Sequence, residues 1–242
     1  MANFNITIAG DCAINLEFSH AITPTVSSTI RMAAKTLNED SICGIKELVP
    51  TFCSLMIVYD PCTITYDELC EKVRGKLRSI TAAESGVKRI VVIPVCYGGE
   101  FGPDMRNVME HANLSEQEVI NIHSGKDYLI DMLGFLPGFA YLGGLDTRLH
   151  TPRLAKPRTK IPAGSVGIGG AQTGIYPLAS PGGWQIIGKS PVSTYDPNRT
   201  PPILYEAGDY LRFTPITPEQ YDLIKAQIAA GEWQCEVHVQ GV

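Results

Sequence analysis

The sequence predicts an α+β protein: a small N-terminal α+β domain over residues 1–88, then a strand-rich barrel or sandwich domain over residues 89–242. Two observations carry this. The first 90 residues switch repeatedly between period-2 and period-3.6 apolar spacing. From Asp127 onward, glycine and proline become dense between short apolar runs, the mark of many short strands joined by turns.

Each element has its own local reason. Phe4, Ile6 and Ile8, then Ile14, Leu16 and Phe18, alternate with polar residues around Gly10-Asp11, as in a half-buried hairpin. Thr23 as N-cap and Pro24 at the first helical position open a helix with Val26, Ile30, Ala33 and Leu37 on one face. A buried strand is expected over residues 51–59, ended by Asp60-Pro61. A second helix starts near Tyr66, with Asp67 and Glu68 early, Lys76 and Arg78 late, and Leu69, Val73, Leu77 and Ile80 as its apolar stripe. A strong strand covers residues 89–97, and a helix 103–112. Another helix follows from Ser115, where Ser115 and Glu118 form a capping box, Leu114 and Val119 a hydrophobic staple, and Gly125 the stop. A last helix closes the chain, capped by Thr217, started by Pro218 and stopped by Gly231, with Tyr221, Ile224 and Ile228 inward.

Composition excludes several function classes. The 242 residues carry a formal charge of −5, with no long run of one sign, which disfavours nucleic acid and anionic membrane as partners. No basic-then-apolar leader is read at the start, and no apolar run approaches the ~20 residues of a membrane span. The expectation is a soluble, cytoplasmic protein. Seven cysteines at irregular spacing, with no C-x-x-C pair, read as reduced and mostly buried, with no metal site.

Residues 183–190 fit the phosphate-loop pattern G-x-x-x-x-G-K-[ST]. The chemistry argues against it. Trp184, Ile186 and Ile187 read as a strand, and Ser190 is followed by Pro191 rather than a helix. The segment from Gly134 to Lys189 is more informative. It presents cations (Arg158, Lys160), neutral hydrogen-bonding groups (Ser165, Gln172, Tyr176, Ser180) and one indole (Trp184) among glycine pairs whose N–H groups can meet an anion. Alternatively, its glycines and prolines only turn strands. Among histidines, His111 stands beside Glu110 on a helix and His150 borders the turn-rich segment; His20, His123 and His238 have no supporting context. Glu100 and Asp104 are candidate carboxylates at unspecific spacing.

Four ordered motifs add to this: Y-G-G-E-F-G-P-D (97–104), G-F-L-P-G-F-A-Y-L-G-G-L-D (134–146), P-R-T-K-I-P-A-G-S-V-G-I-G-G (157–170) and Q-T-G-I-Y-P-L-A-S-P-G-G-W-Q-I-I-G (172–188). They closely resemble the KipI / allophanate hydrolase subunit 1 family over essentially the whole chain. The resemblance implies a cyclophilin-like β-barrel behind the N-terminal α+β domain. It also implies one subunit of an ATP-dependent 5-oxoprolinase that opens 5-oxoproline to L-glutamate and is inactive alone. ATP, with Mg, is then the co-substrate, and the partners are an allophanate hydrolase subunit 2-type chain and a lactam-utilisation-type chain. Carried over by motif, Arg158, Pro162, Gly164, Ser165, Gln172, Tyr176, Ser180, Gly182, Gly183 and Trp184 border the groove. Arg158 and Lys160 are expected to hold a carboxylate or phosphate, Ser165 and Gln172 to bind the lactam, and Trp184 to pack on it; Arg158 and His111 are the catalytic candidates. Two alternatives stay open: inhibition of a sporulation histidine kinase, and carboxyl transfer to urea.

Overall fold

Residues 4–21, 23–78, 87–134 and 136–241 are described by a computed structural model. The chain divides into two compact units, Met1–Gly86 and Val87–Val242.

In the first unit, β1 (Asn5–Ile8) and β2 (Ala13–Glu17) form the expected antiparallel hairpin, with Ile6 opposite Leu16. Helix α1 (Pro24–Glu39) begins where Thr23 accepts the Val26 N–H at 3.2 Å. The strand expected over residues 51–59 is observed over 54–59, as one arm of a hairpin whose other arm is not expected. β3 (Ile45–Pro50) and β4 (Ser54–Tyr59) pair antiparallel, and residues 51–53 make the turn, closed by a 2.8 Å bond from the Thr51 N–H to the Ser54 carbonyl. β3 escapes the pattern because Lys46 and Glu47 break the alternation at a bulge. Helix α2 (Tyr66–Leu77) adds a capping box between Thr65 and Glu68. Ile80 lies outside the described residues. The sheet order is β1-β2-β4-β3, and both helices cover the face carrying Ile14, Leu16, Leu55 and Ile57.

The second unit opens with β5 (Val87–Tyr97), α3 (Met105–Ala112) and α4 (Glu116–Ser124), the last begun by the predicted Ser115–Glu118 box. Then come β6 (Asp127–Leu133), β7 (Ala140–Leu142), a 3₁₀ turn (Thr147–Leu149), β8 (Arg158–Ile161), β9 (Ser165–Gly169), β10 (Gln172–Ile175), β11 (Ser180–Gly182), β12 (Gln185–Lys189) and β13 (Tyr210–Ile216). Helix α5 (Pro218–Ala230) follows, and then β14 (Val237–Gly241).

Seven of these strands run in the ring order β12-β9-β10-β7-β6-β13-β5, and β12 returns to β5 through Gly188 opposite Tyr97. The sheet is thus a closed, cyclophilin-like barrel, and closure removes the exposed edges of an open sheet. Val91, Ile93, Val95, Tyr128, Ile130, Val166, Ile168, Leu211 and Phe213 fill its interior. β8 and β11 pair as a separate two-stranded ribbon. The final helix does not close the chain, contrary to expectation: β14 adds to the outer side of β5, with His238 opposite Ile90. It is short and mostly exposed, and the brief alternation of Val237 and Val239 with His238 and Gln240 is too slight to announce it.

The phosphate-loop pattern falls on strand β12, whose Ile187 points into the core. Among the described residues, no helix is long and apolar enough to cross a membrane.

Candidate functional site

The inner side chains of β9 and β10 alternate with an outer set: Ser165, Gly167 and Gly169 on β9, Gln172 and Gly174 on β10, then Tyr176. Trp184 lies on this outer face. A β-carbon at Gly169 would fall inside the contact radius of Trp184 Nε1, and one at Gly174 would stand 3.1 Å from Trp184 Cζ3. These glycines are therefore not turn residues. They clear a floor on which an indole lies flat against backbone. Phe139, Ile161, Tyr176 and Ile186 complete a buried cluster around the indole, with Phe139 and Trp184 edge to face at 5.6 Å.

Arg158, on the β8–β11 ribbon, reaches Asp104 at the start of α3. Its Nη2 donates to Asp104 Oδ1 at 2.6 Å, and the other carboxylate oxygen accepts the Ile186 N–H at 2.7 Å. Asp104 is 4% exposed. Burying that carboxylate without a cation would cost several kcal/mol, on the order of the penalty for any uncompensated buried ion. The Y-G-G-E-F-G-P-D motif thus serves to bring a carboxylate onto the barrel wall, and its Gly102 leaves room for the Ile187 carbonyl. Arg158 Nη1 and Ser180 Oγ are buried without hydrogen-bond partners among the described residues.

The remaining predicted residues divide by position. Pro162, Gly164 and Ser165 make a tight turn sealed by backbone bonds, the Gly164 N–H to the Tyr176 carbonyl (2.8 Å) and the Tyr176 N–H to the Ser165 carbonyl (2.9 Å). Ser165 is 2% exposed. Gln172 starts the next strand, opposite Gly169, at the other end of the hairpin from Ser165. Those ends stand a strand's length apart, roughly 13 Å. Gly182 faces the Tyr176 hydroxyl, and the Gly183 carbonyl accepts the Leu154 N–H at 2.7 Å. Lys160 is exposed on the ribbon. His111 is exposed in the last turn of α3, seven residues past Asp104 and so about 10 Å along the axis. The structure does not bring it beside Arg158.

His123, which has no supporting context in the sequence, is fully buried. Nδ1 lies 2.8 Å from the Tyr97 hydroxyl, Nε2 lies 2.7 Å from Thr173 Oγ1, and the ring stacks on Phe213. Burial disfavours the cation and lowers its pKa to about 3. It belongs to the barrel core rather than to the outer face.

One charge signal in the sequence spans the segment that supplies the outer face. Residues 147–195 contain no Asp or Glu but six Lys and Arg, in a chain of net charge −5. Of these six, Arg148 pairs with Asp146 and Arg158 with Asp104; the other four, Arg153, Lys156, Lys160 and Lys189, form no ion pair among the described residues. Such a face suits an anionic group. It does not suit a divalent cation, because Asp104, the buried carboxylate that reaches it, is already occupied by Arg158 and Ile186. Among the described residues, no three His, Cys, Asp or Glu side chains cluster as metal ligands.

The structure is thus a closed barrel that carries a cation-rich, acid-free segment beside a buried Arg–Asp pair. The chain belongs to the family described as carboxyltransferase domain, subdomain C and D, whose pattern matches residues 4–205. It is 40% identical over 234 residues to the B subunit of 5-oxoprolinase from Bacillus subtilis (strain 168), spanning 93% of this chain and 98% of that protein. To the protein of the same name from Escherichia coli O157:H7 it is 42% identical over 209 residues, spanning 86% and 94%. The crystal structure of the K. lactis urea amidolyase shares the fold, with a TM-score of 0.79 and 19% identity over 98% of this chain. The chain spans 16% of that longer protein.

Proposed function

We propose that the chain is one subunit of a cytoplasmic 5-oxoprolinase that opens 5-oxoproline to L-glutamate with hydrolysis of ATP. It would work with the A subunit of 5-oxoprolinase, a lactam-utilisation-type chain, and with the C subunit, an allophanate hydrolase subunit 2-type chain. Without them it would be inactive. The observation that carries this reading is near full-length similarity to two B subunits. The acid-free cationic face supports it, because 5-oxoproline is a small ring bearing a carboxylate.

A five-membered lactam resists water because its amide is resonance-stabilised and its nitrogen leaves poorly. ATP would supply the driving force by phosphorylating the amide oxygen, so that water can attack the carbonyl carbon. This chain's part would be binding and orientation. Lys160 offers a mobile charge at the rim, and the Arg158–Asp104 pair holds the ribbon to the barrel wall. Trp184 keeps the floor beneath it rigid.

Co-expression of the chain with its partners tests the reading through glutamate release from 5-oxoproline. Release is expected only with ATP and all partners present. In that complex Arg158→Ala should lower turnover at least ~10-fold, as expected for loss of a charged hydrogen bond. ATP-independent release, or carboxyl transfer to urea in its place, would overturn the proposal.

A further inference from the structure

We infer that Arg153, on the loop ahead of β8, is the anion-reading residue of the outer face, and that it takes a multi-oxygen anion, either a carboxylate on a compact ring or a phosphate. The inference deepens the reading of this face as the ligand site and rests on it.

Arg153 differs from the other cations of the face in being both placed and free. Its guanidinium carbon lies over the Trp184 ring, 5.9 Å from the centroid. The loop that carries it is pinned by the Leu154 N–H to the Gly183 carbonyl, and by the Thr151–Gly170 bridge with its 2.8 Å bond. Trp184, beneath that guanidinium, packs edge to face on Tyr176 at 6.0 Å, so Arg153 stands over the aromatic cluster. Arg158 has committed Nη2 to Asp104. Arg153 is exposed and has no carboxylate within ion-pair distance among the described residues.

Within cation–π reach of the indole and on a pinned loop, the Arg153 guanidinium keeps its planar fork of N–H groups available for two oxygens at once. That favours carboxylate or phosphate over halide or a neutral amide. Lys156 and Lys160 are exposed and, among the described residues, lie over no aromatic ring, so they attract an anion without orienting it.

Calorimetric titration of the full chain with three probes tests this: 5-oxoproline, 2-pyrrolidinone (the same ring without the carboxylate) and inorganic phosphate. Arg153→Ala is expected to weaken 5-oxoproline ~10- to 100-fold while leaving 2-pyrrolidinone unchanged, with Arg153→Lys between the two. If phosphate binds and 5-oxoproline does not, and Arg153→Ala abolishes the phosphate heat, the anion site stands and its carboxylate source falls. The inference is overturned if Arg153→Ala binds both anions within about twofold of wild type, or if the wild-type chain binds neither. Glutamate release by the assembled complex would survive either of those results, so failure here is separable from failure of the proposed function.

Discussion

On its inner face the β9–β10 hairpin carries Val166, Ile168, Thr173 and Ile175; on its outer face it carries Gly167, Gly169 and Gly174. The inner face is filled by its own side chains, as a small closed barrel requires. The outer face is filled by a residue from elsewhere in the chain, Trp184, and its own positions are emptied to admit it. The inner face is closed and packs Thr173 against a neutral histidine. Over the indole of the outer face lies Arg153, which forms no ion pair among the described residues. The same hairpin therefore stabilises the barrel on one side and seats an aromatic cluster from elsewhere in the chain on the other.

Removing the indole should break the comparison most severely. Trp184→Ala empties the outer cluster and is expected to cost about 3–5 kcal/mol, read from the denaturant midpoint of the barrel unit by Trp233 fluorescence. A smaller effect tests whether the glycines exist for the indole. Gly169→Ala should cost about 1–3 kcal/mol by overpacking, and nearly nothing when Trp184 is already alanine. Equal costs in both backgrounds would mean that the glycine answers to backbone conformation instead.

The inner face is sharpened by pH. His123 titrates at about 3 in the folded chain against 6.5 as a free side chain, with burial as the cause. Between those values the unfolded chain binds the extra proton, so stability falls as pH drops below 6.5. From there down to about pH 5 the loss should be about 1.5 kcal/mol. His123→Gln should remove that slope from a pH series of unfolding midpoints; a slope that persists would assign it to other groups.

Helix ends are the most legible features of the sequence. Thr23, the Ser115–Glu118 box, and Thr217 with Pro218 act on backbone groups within a turn of themselves, and the chain folds there as its local chemistry demands. Strands β3 and β14 are invisible to the same reading, one because a bulge breaks its alternation and the other because it is a short, exposed addition to an existing edge. Most of the candidate site residues are legible as a neighbourhood, through the motifs that hold them, but not as roles. In the sequence Arg158 reads as a free cation, yet Asp104, 54 positions away, takes one of its nitrogens. Nothing local singles out Arg153, although the absence of acids over residues 147–195 marks its surroundings.

By itself, then, the sequence determined the two-part α+β architecture, the caps and stops of the predicted helices, and a turn-rich segment rich in cations. Tertiary structure alone decided that β12 closes a ring with β5, that glycines of β9 and β10 belong beneath Trp184, and that His123 meets Thr173 inside the core. The reason is range: capping and periodicity depend on neighbours a few residues apart. Ring closure, a buried ion pair and an indole on bare backbone depend on residues that only the completed fold makes adjacent.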